Sequence, residues 1–461
     1  MPRATRRDAL VVTAMALGTR LAVVAWAAFA IPPVADGTYY HLLASRLASG
    51  QGYTWLWPDG AVTYAAHYPV GYPALVALAY AVLGAKPAVA MLVNALLGAA
   101  GAWGAYDLLA RVTSRRLALA GGLAVALHPA LVPYTAALMT EGVTASLLVS
   151  ATALAARARD AARGRRSLAW LVSAGLVLGV ATLVRPQSLA LAALLGFLAV
   201  RSGPRALLRR ARVAVGMTML ALLVCAPWTA RNCVRMEKCA LVSVNGGWNL
   251  AIGTQTRDGG WQEMAVPDAC KEVFAEAAKD TCFGRAALGV IVGGPLRWLA
   301  RAPAKLRVTF DYFGAAPWYL HAASPEKFPS SAKVALAAIE VLASRLLLLA
   351  ALVSVRKLEG PRPFAREAVT AVGLVACFLP SGCVLGYLAC AVGILLLGTR
   401  ALARAPVVVP ATAAVILATA ATHAVFFGAG RYGLVVVPFV TALAFLRPGT
   451  LMTRTLALDR L

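Results

Sequence analysis

Acidic residues are scarce in this chain: 19 Asp and Glu stand against 44 Lys and Arg in 461 residues, a net charge of +25. Charge of either sign is scarce too, at 14% of residues, where a soluble domain carries about 25%. There is no P-loop, no Rossmann βαβ fingerprint, no H-E-x-x-H and no internal repeat. ATP-driven transport and zinc proteolysis thereby lose their usual sequence support. The low hydrophobicity that marks disorder is missing as well.

What is present is apolar. Hydrophobic residues make up 60% of the chain, and the mean hydropathy is +0.73. A water-soluble core cannot hide that much apolar surface. The basic residues form short clusters between apolar runs, without the continuous basic stripe that nucleic acid would call for. The pattern predicts an all-α, polytopic membrane protein with no nucleic-acid partner.

A helix needs roughly 20 apolar residues to cross the hydrocarbon core. About twelve runs qualify within boundary error. They lie near 9–33, 88–110, 117–134, 141–156, 167–184, 187–200, 213–228, 334–355, 367–382, 383–399, 405–427 and 431–446. Alternate connections between them, from Arg3/Arg6/Arg7 to Arg447 through Arg460, hold 25 of the 44 basic residues and five acids. The positive-inside rule then predicts a cytoplasmic N-terminus, in a multi-pass cell (inner) membrane protein whose working face is periplasmic or extracellular. The short run Pro73–Gly84 reads as an interfacial helix on that face. Arg3, Arg6 and Arg7 before Ala28-Phe29-Ala30 resemble a secretory signal, but the apolar stretch is long and Arg20 interrupts it, so the first span is expected to be uncleaved.

Two outer connections are long, Pro32 to Pro87 and Thr229 to Lys333. They divide the chain into an N-terminal transmembrane module at 1–228 with its outer loop at 34–87, an extracytoplasmic region at 229–332, and a C-terminal bundle at 333–461. Cys233, Cys239, Cys270 and Cys282 fall in the second connection, where an oxidising compartment permits disulfides. Of the three pairings open to four cysteines, the local one is simplest: Cys233 with Cys239 and Cys270 with Cys282. Zinc is the rival, but no His and no C-x-x-C accompanies them.

Several polar residues sit at outer helix ends. Asp36, just after the first span, is either a general base near the membrane surface or the cap of a following helix. Glu141 stands at the outer start of another span, where acids are costly unless they have work or a cap to make. Arg185 and Arg431 face outward and so escape the positive-inside explanation. A guanidinium matches phosphate through a bidentate fork, and the rival reading is snorkelling to lipid headgroups. Glu340 and Arg345, about one turn apart, read as a pair. Trp and Tyr crowd the outer connections, as both an interfacial belt and sugar stacking would have it. The turn Asn245-Gly246-Gly247-Trp248-Asn249 is more particular, with an aromatic between amides. His41 and His67 are weak metal candidates near Asp36.

These residues resemble a known family. An outer Asp after the first span, then Tyr68-Pro69-Val70-Gly71-Tyr72-Pro73 before a short helix, is similar to the GT-C membrane glycosyltransferases. The branch resembled is the bacterial one related to dolichyl-phosphate-mannose protein mannosyltransferases and the lipid A aminoarabinose transferase. Thr140-Glu141-Gly142, Arg185-Pro186, Pro227 through Asn232, Asn245 through Gly253, and Arg431 through Pro438 follow in order. The resemblance implies an inverting transferase that moves a sugar from a polyprenyl-phosphate donor in the membrane to an acceptor hydroxyl on protein, lipid or glycan. Asp36 would be the base and Glu141 the second acid, orienting acceptor or a cation. Arg431, Arg185 and Arg231 would hold the departing phosphate. Tyr39, Tyr40, Tyr72, Asn245, Trp248 and Asn249 would line the sugar and acceptor sites. Many relatives have Asp-Glu where this chain has Asp36-Gly37, which leaves a divalent cation open; no residue is assigned as its ligand. The alternatives are a lipid-linked oligosaccharide polymerase or ligase, leaning on Arg285, Arg297, Arg301 and Arg307, and a polyprenyl-lipid flippase or secondary transporter.

Overall fold

The computed structural model describes residues 5–161, 164–201, 206–311 and 314–447. Arg3, Arg163, Arg205, Arg454, Asp459 and Arg460 of the charge clusters lie outside the described residues. In the N-terminal module the helices are α1 (Arg6–Ala30), α2 (Asp36–Ala48), α3 (Gly71–Leu83), α4 (Pro87–Ala110), α5 (Arg115–Ala126), α6 (Glu141–Ala161), α7 (Arg165–Val184), α8 (Ala190–Leu198) and α9 (Ala206–Arg235). The long outer segment holds α10 (Gly246–Gln255), α11 (Asp268–Lys271), α12 (Glu276–Gly293), α13 (Pro295–Leu299), α14 (Ala302–Phe310) and α15 (Ala315–Ala323). The C-terminal part is α16 (Ser330–Arg356), α17 (Pro363–Ala376), α18 (Cys383–Leu395), α19 (Gly398–Arg404), α20 (Val408–Val425) and α21 (Val437–Ala444).

Six of these helices, α1, α4, α7, α9, α16 and α20, are long and apolar enough to cross a membrane, and the chain is a multi-pass membrane protein. The other expected spans are helical but shorter or less apolar; α18 and α19 form one run bent by 92°. The run expected at 117–134 ends as a helix at Ala126 and continues into a short 3-10 turn at Pro133–Ala136. The division drawn at 228 is not a break either, since α9 runs through Pro227 to Arg235. The predicted interfacial helix is α3, stopped by Gly84 at φ 86°.

Local chemistry sets the ends. The Thr5 hydroxyl accepts from the Asp8 amide at the start of α1, and Ser114 caps α5 in the same way. Pro87 opens α4 and Pro363 opens α17, where a missing N–H costs nothing. Within the bundle α4 packs on α1 and α6, and α7 on α6 and α9. Gly104 lets α4 approach α6 closely: a Cβ there would stand 3.2 Å from Ser150 Cα.

The helix ends away from Asp36 carry ion pairs. Asp107 binds Arg111 (3.0 Å) and Arg157 (2.6 Å), Arg111 reaches Asp160, and Arg115 grips Asp8 at 2.6 Å. Glu340 and Arg345 form no ion pair. Five residues of α-helix turn about 500°, leaving the two side chains some 140° apart; Arg345 instead donates to the Cys377 carbonyl. One small exception to the all-α fold is an antiparallel hairpin, β1 (Thr54–Leu56) on β2 (Val62–Tyr64), in the first outer connection.

The second outer segment folds back over the first. Cys233 is bonded to Cys239 and Cys270 to Cys282. Glu276 accepts hydrogen bonds from the backbone N–H of Ala66 (2.6 Å) and His67 (3.1 Å) and from Trp55 Nε1 (2.9 Å). The carboxylate thus fastens α12 onto the loop that follows β2.

Candidate active site

Four helix ends and loops meet beneath that cover. Asp36 is the first residue of α2, where the free N–H groups of a helix start favour negative charge. Glu141 starts α6 in the same way. Arg185 lies at the break after α7, forced out of helix by Pro186. Arg431 sits in a 3-10 turn, Gly430–Val436, that leads into α21.

The four side chains form one chain of charge. Arg431 Nη1 lies 2.8 Å from Asp36 Oδ2, and its Nε lies 3.4 Å from Glu141 Oε1. Arg185 Nη2 is 2.5 Å from the same Glu141 oxygen, and its Nε donates to Thr140 Oγ1 at 3.0 Å. Tyr134 donates to Glu141 Oε2 at 2.8 Å, and Tyr68 to Asp36 Oδ1 at 3.2 Å. Both guanidiniums lie over the ring of Tyr432, at 5.0 and 5.2 Å, and His423 stacks on that ring at 4.0 Å. Burial, and then the Asp36 charge, push the Tyr68 hydroxyl far above its ordinary value, so it stays a donor to Asp36.

Exposure separates the roles. The Asp36 side chain is 31% exposed and that of Arg431 24%, while Glu141 retains 2%. Asp36, Arg185 and Arg431 line a cavity of about 1470 Å³ with Tyr39, Tyr40, Asn245, Trp248 and Asn249. Three expected site residues do not reach it. Glu141 is buried behind the two arginines, paired with both. Tyr72 is fully buried, its ring edge-on to Tyr40 at 5.4 Å. Arg231 donates to the carbonyls of Ala65 (2.8 Å) and Tyr53 (2.9 Å) and to Asn232 Oδ1 (3.0 Å). Its plane covers Trp228 at 4.6 Å, and it braces the outer loop.

The cavity also gathers residues to which no role was given: Gln187, Trp318, Tyr319, His423 and Tyr432. Arg307, named above for the ligase alternative, lines it too, whereas Arg301 is engaged with the Thr254 carbonyl. Tyr432 adjoins Arg431 and Gln187 follows Arg185 by two positions, which are local signals; Trp318, Tyr319 and His423 come from other segments. His67 lines the cavity, and burial holds its imidazole below the ordinary histidine value despite nearby carboxylates. His41 turns to Tyr80, its Nδ1 2.7 Å from the hydroxyl.

These residues do not suit a divalent cation. Arg431 already spans Asp36 and Glu141, and Gly37 supplies no second carboxylate. Among the described residues no group of three or more His, Cys, Asp or Glu is placed to hold a metal ion.

One comparison, a family match over part of the chain, agrees with the resemblance read from the sequence. Residues 67–230 match the family described as dolichyl-phosphate-mannose-protein mannosyltransferase. No curated protein sequence matches the chain. Among solved structures, the apo Archaeoglobus fulgidus oligosaccharyltransferase is 14% identical, with a TM-score of 0.49 over 98% of this chain and 51% of that one. ArnT from Cupriavidus metallidurans bound to undecaprenyl phosphate is 13% identical, with a TM-score of 0.42 over 96% of this chain and 78% of that one. The arabinosyltransferase EmbB from Mycobacterium smegmatis is 16% identical, with a TM-score of 0.34 over 96% and 42%. The chain spans about half the length of the archaeal enzyme.

Proposed function

We propose that the protein is an inverting glycosyltransferase. It moves a sugar from a polyprenyl-phosphate donor to an acceptor hydroxyl on the outer face of the membrane. The observation that carries this reading is the Asp36–Arg431–Glu141–Arg185 chain opening into one large cavity. The family match over residues 67–230 supports the class.

The chemistry follows from the geometry. The donor phosphate seats on the cavity edges of Arg431 and Arg185, whose planar forks suit phosphate oxygens. Arg431 is tied to Asp36, so an arriving phosphate competes for that guanidinium and frees one Asp36 oxygen. Asp36 then takes the acceptor hydroxyl proton while the acceptor's own oxygen attacks the anomeric carbon. The bond from that carbon to the phosphate oxygen breaks, and its electron pair leaves on the phosphate, where both arginines stabilise the charge. Tyr68 keeps the carboxylate oriented, Glu141 holds the two arginines, and the rings of Tyr39 and Trp248 offer faces for sugar.

A lipid-diphosphate donor, as a polymerase or ligase would use, is a second reading favoured by Arg307 on the cavity wall. The test is release of labelled sugar from polyprenyl-phosphate hexose or pentose by purified protein in nanodiscs, with Asp36→Asn alongside. Release by the wild type alone, with inverted product, is expected. Release from the diphosphate donor only would favour the second reading. Equal turnover by Asp36→Asn would remove the base. No release from any donor, with the labelled lipid crossing proteoliposomes, would replace transfer by flipping.

A further inference from the structure

Tyr319 is nearly three hundred residues from Asp36 in the chain, yet its hydroxyl lies at the root of the site. The Oη accepts hydrogen bonds from the backbone N–H of Val34 and of Leu138, each at 3.3 Å. Val34 is two residues before Asp36, and Leu138 is three before Glu141. One buried oxygen, on a residue 1% exposed, therefore ties together the two loops that carry the acids. The loop it holds is strained: Ala35, directly before Asp36, adopts φ 50° without being glycine. Such a conformation persists only where its surroundings over-determine it.

The same hydroxyl accounts for Gly37. A Cβ at that position would stand 2.5 Å from Tyr319 Oη, 3.3 Å from the Leu138 carbonyl oxygen and 3.4 Å from Tyr319 Cζ. The first distance is excluded, the second is tight and the third is ordinary contact. Position 37 is thus closed to any side chain while the tyrosine hydroxyl is present.

We infer that Tyr319 is a positioning residue for the transfer reaction: its hydroxyl fixes the Asp36 loop against the Glu141–Arg431 cluster, and Gly37 is the space that this hydroxyl requires. This rests on the reading of Asp36 as the base. It also makes the long outer segment part of the reaction centre, because α15 carries Trp318 to the cavity and Tyr319 to the loops.

A double-mutant cycle tests it in the full chain in nanodiscs, with Tyr319→Phe, Gly37→Ala and the double variant read by sugar release and by Tm. Tyr319→Phe should lower kcat about tenfold while the donor KM stays within about twofold. Gly37→Ala should lower both kcat and Tm. The double variant should recover part of each loss, because the excluded 2.5 Å contact is gone and the new methyl then meets only the Leu138 carbonyl oxygen at 3.3 Å and the ring carbon at 3.4 Å. Wild-type kcat in Tyr319→Phe, or strictly additive losses in the double variant, would overturn the inference. Should the wild type release no sugar from any donor, the transferase reading fails by itself. The Tm cycle then decides the contact alone: non-additivity supports it and additivity overturns it.

Discussion

Arg431 and Arg231 are both outward arginines at the ends of apolar runs, and both were expected to hold phosphate. Their surroundings differ in kind. Arg231 gives its donors to two carbonyls and a neighbouring amide, and its face is covered by tryptophan. Arg431 makes its shortest contact to Asp36, on the wall of a cavity. Neutral backbone acceptors spend an arginine on structure. A carboxylate partner in an accessible cavity can be exchanged for an incoming anion, and the guanidinium stays available for chemistry. Arg185 stands between the two: it faces the cavity as Arg431 does, but its carboxylate partner, Glu141, is buried, and its Nε is given to Thr140.

The largest effect that would sharpen this contrast is expected from Arg431→Ala. On the proposed mechanism it removes a group that stabilises the leaving phosphate, and turnover should fall about 10²–10³-fold. Steady-state sugar release checks this, and a loss below tenfold would put Arg431 with Arg231. Arg185→Ala should lose less turnover but more stability, because the buried Glu141 then keeps a single cation. Thermal unfolding compared with kcat separates the two costs. Arg231→Ala should leave turnover per folded molecule near wild type and destabilise by about 1–3 kcal/mol, as two carbonyls lose a charged donor. A selective fall in donor binding for that variant would break the comparison. Trp248→Ala is expected to do least, raising the acceptor or donor KM by about tenfold or less through lost stacking.

Legibility in the sequence followed the range of the contacts. Asp36, Glu141, Arg185 and Arg431 each stand beside a break in an apolar run, so composition along the chain exposes them. Their meeting needed only that all four lie at helix ends on one side of the membrane. The partners that orient them are another matter. Tyr319 reaches Val34 across 285 positions, and Glu276 reaches Ala66 across 210. No periodicity or motif announces such contacts. Gly37 was visible as a departure from the Asp-Glu pattern, but its cause lay in Tyr319. The surroundings of Arg231 were not legible, because sequence shows a charge without showing what accepts from it. The Glu340–Arg345 pairing failed on helix geometry that spacing alone contained, since five residues do not return to the same face.

The most direct test of the account is binding of labelled polyprenyl phosphate to nanodisc-embedded wild type, Arg431→Ala and Arg231→Ala, at matched folded concentration. Arg431→Ala should lose most of the affinity and Arg231→Ala should retain it. Equal retention by both, or loss confined to Arg231→Ala, would contradict the placement of the phosphate at the Asp36–Arg431 cluster.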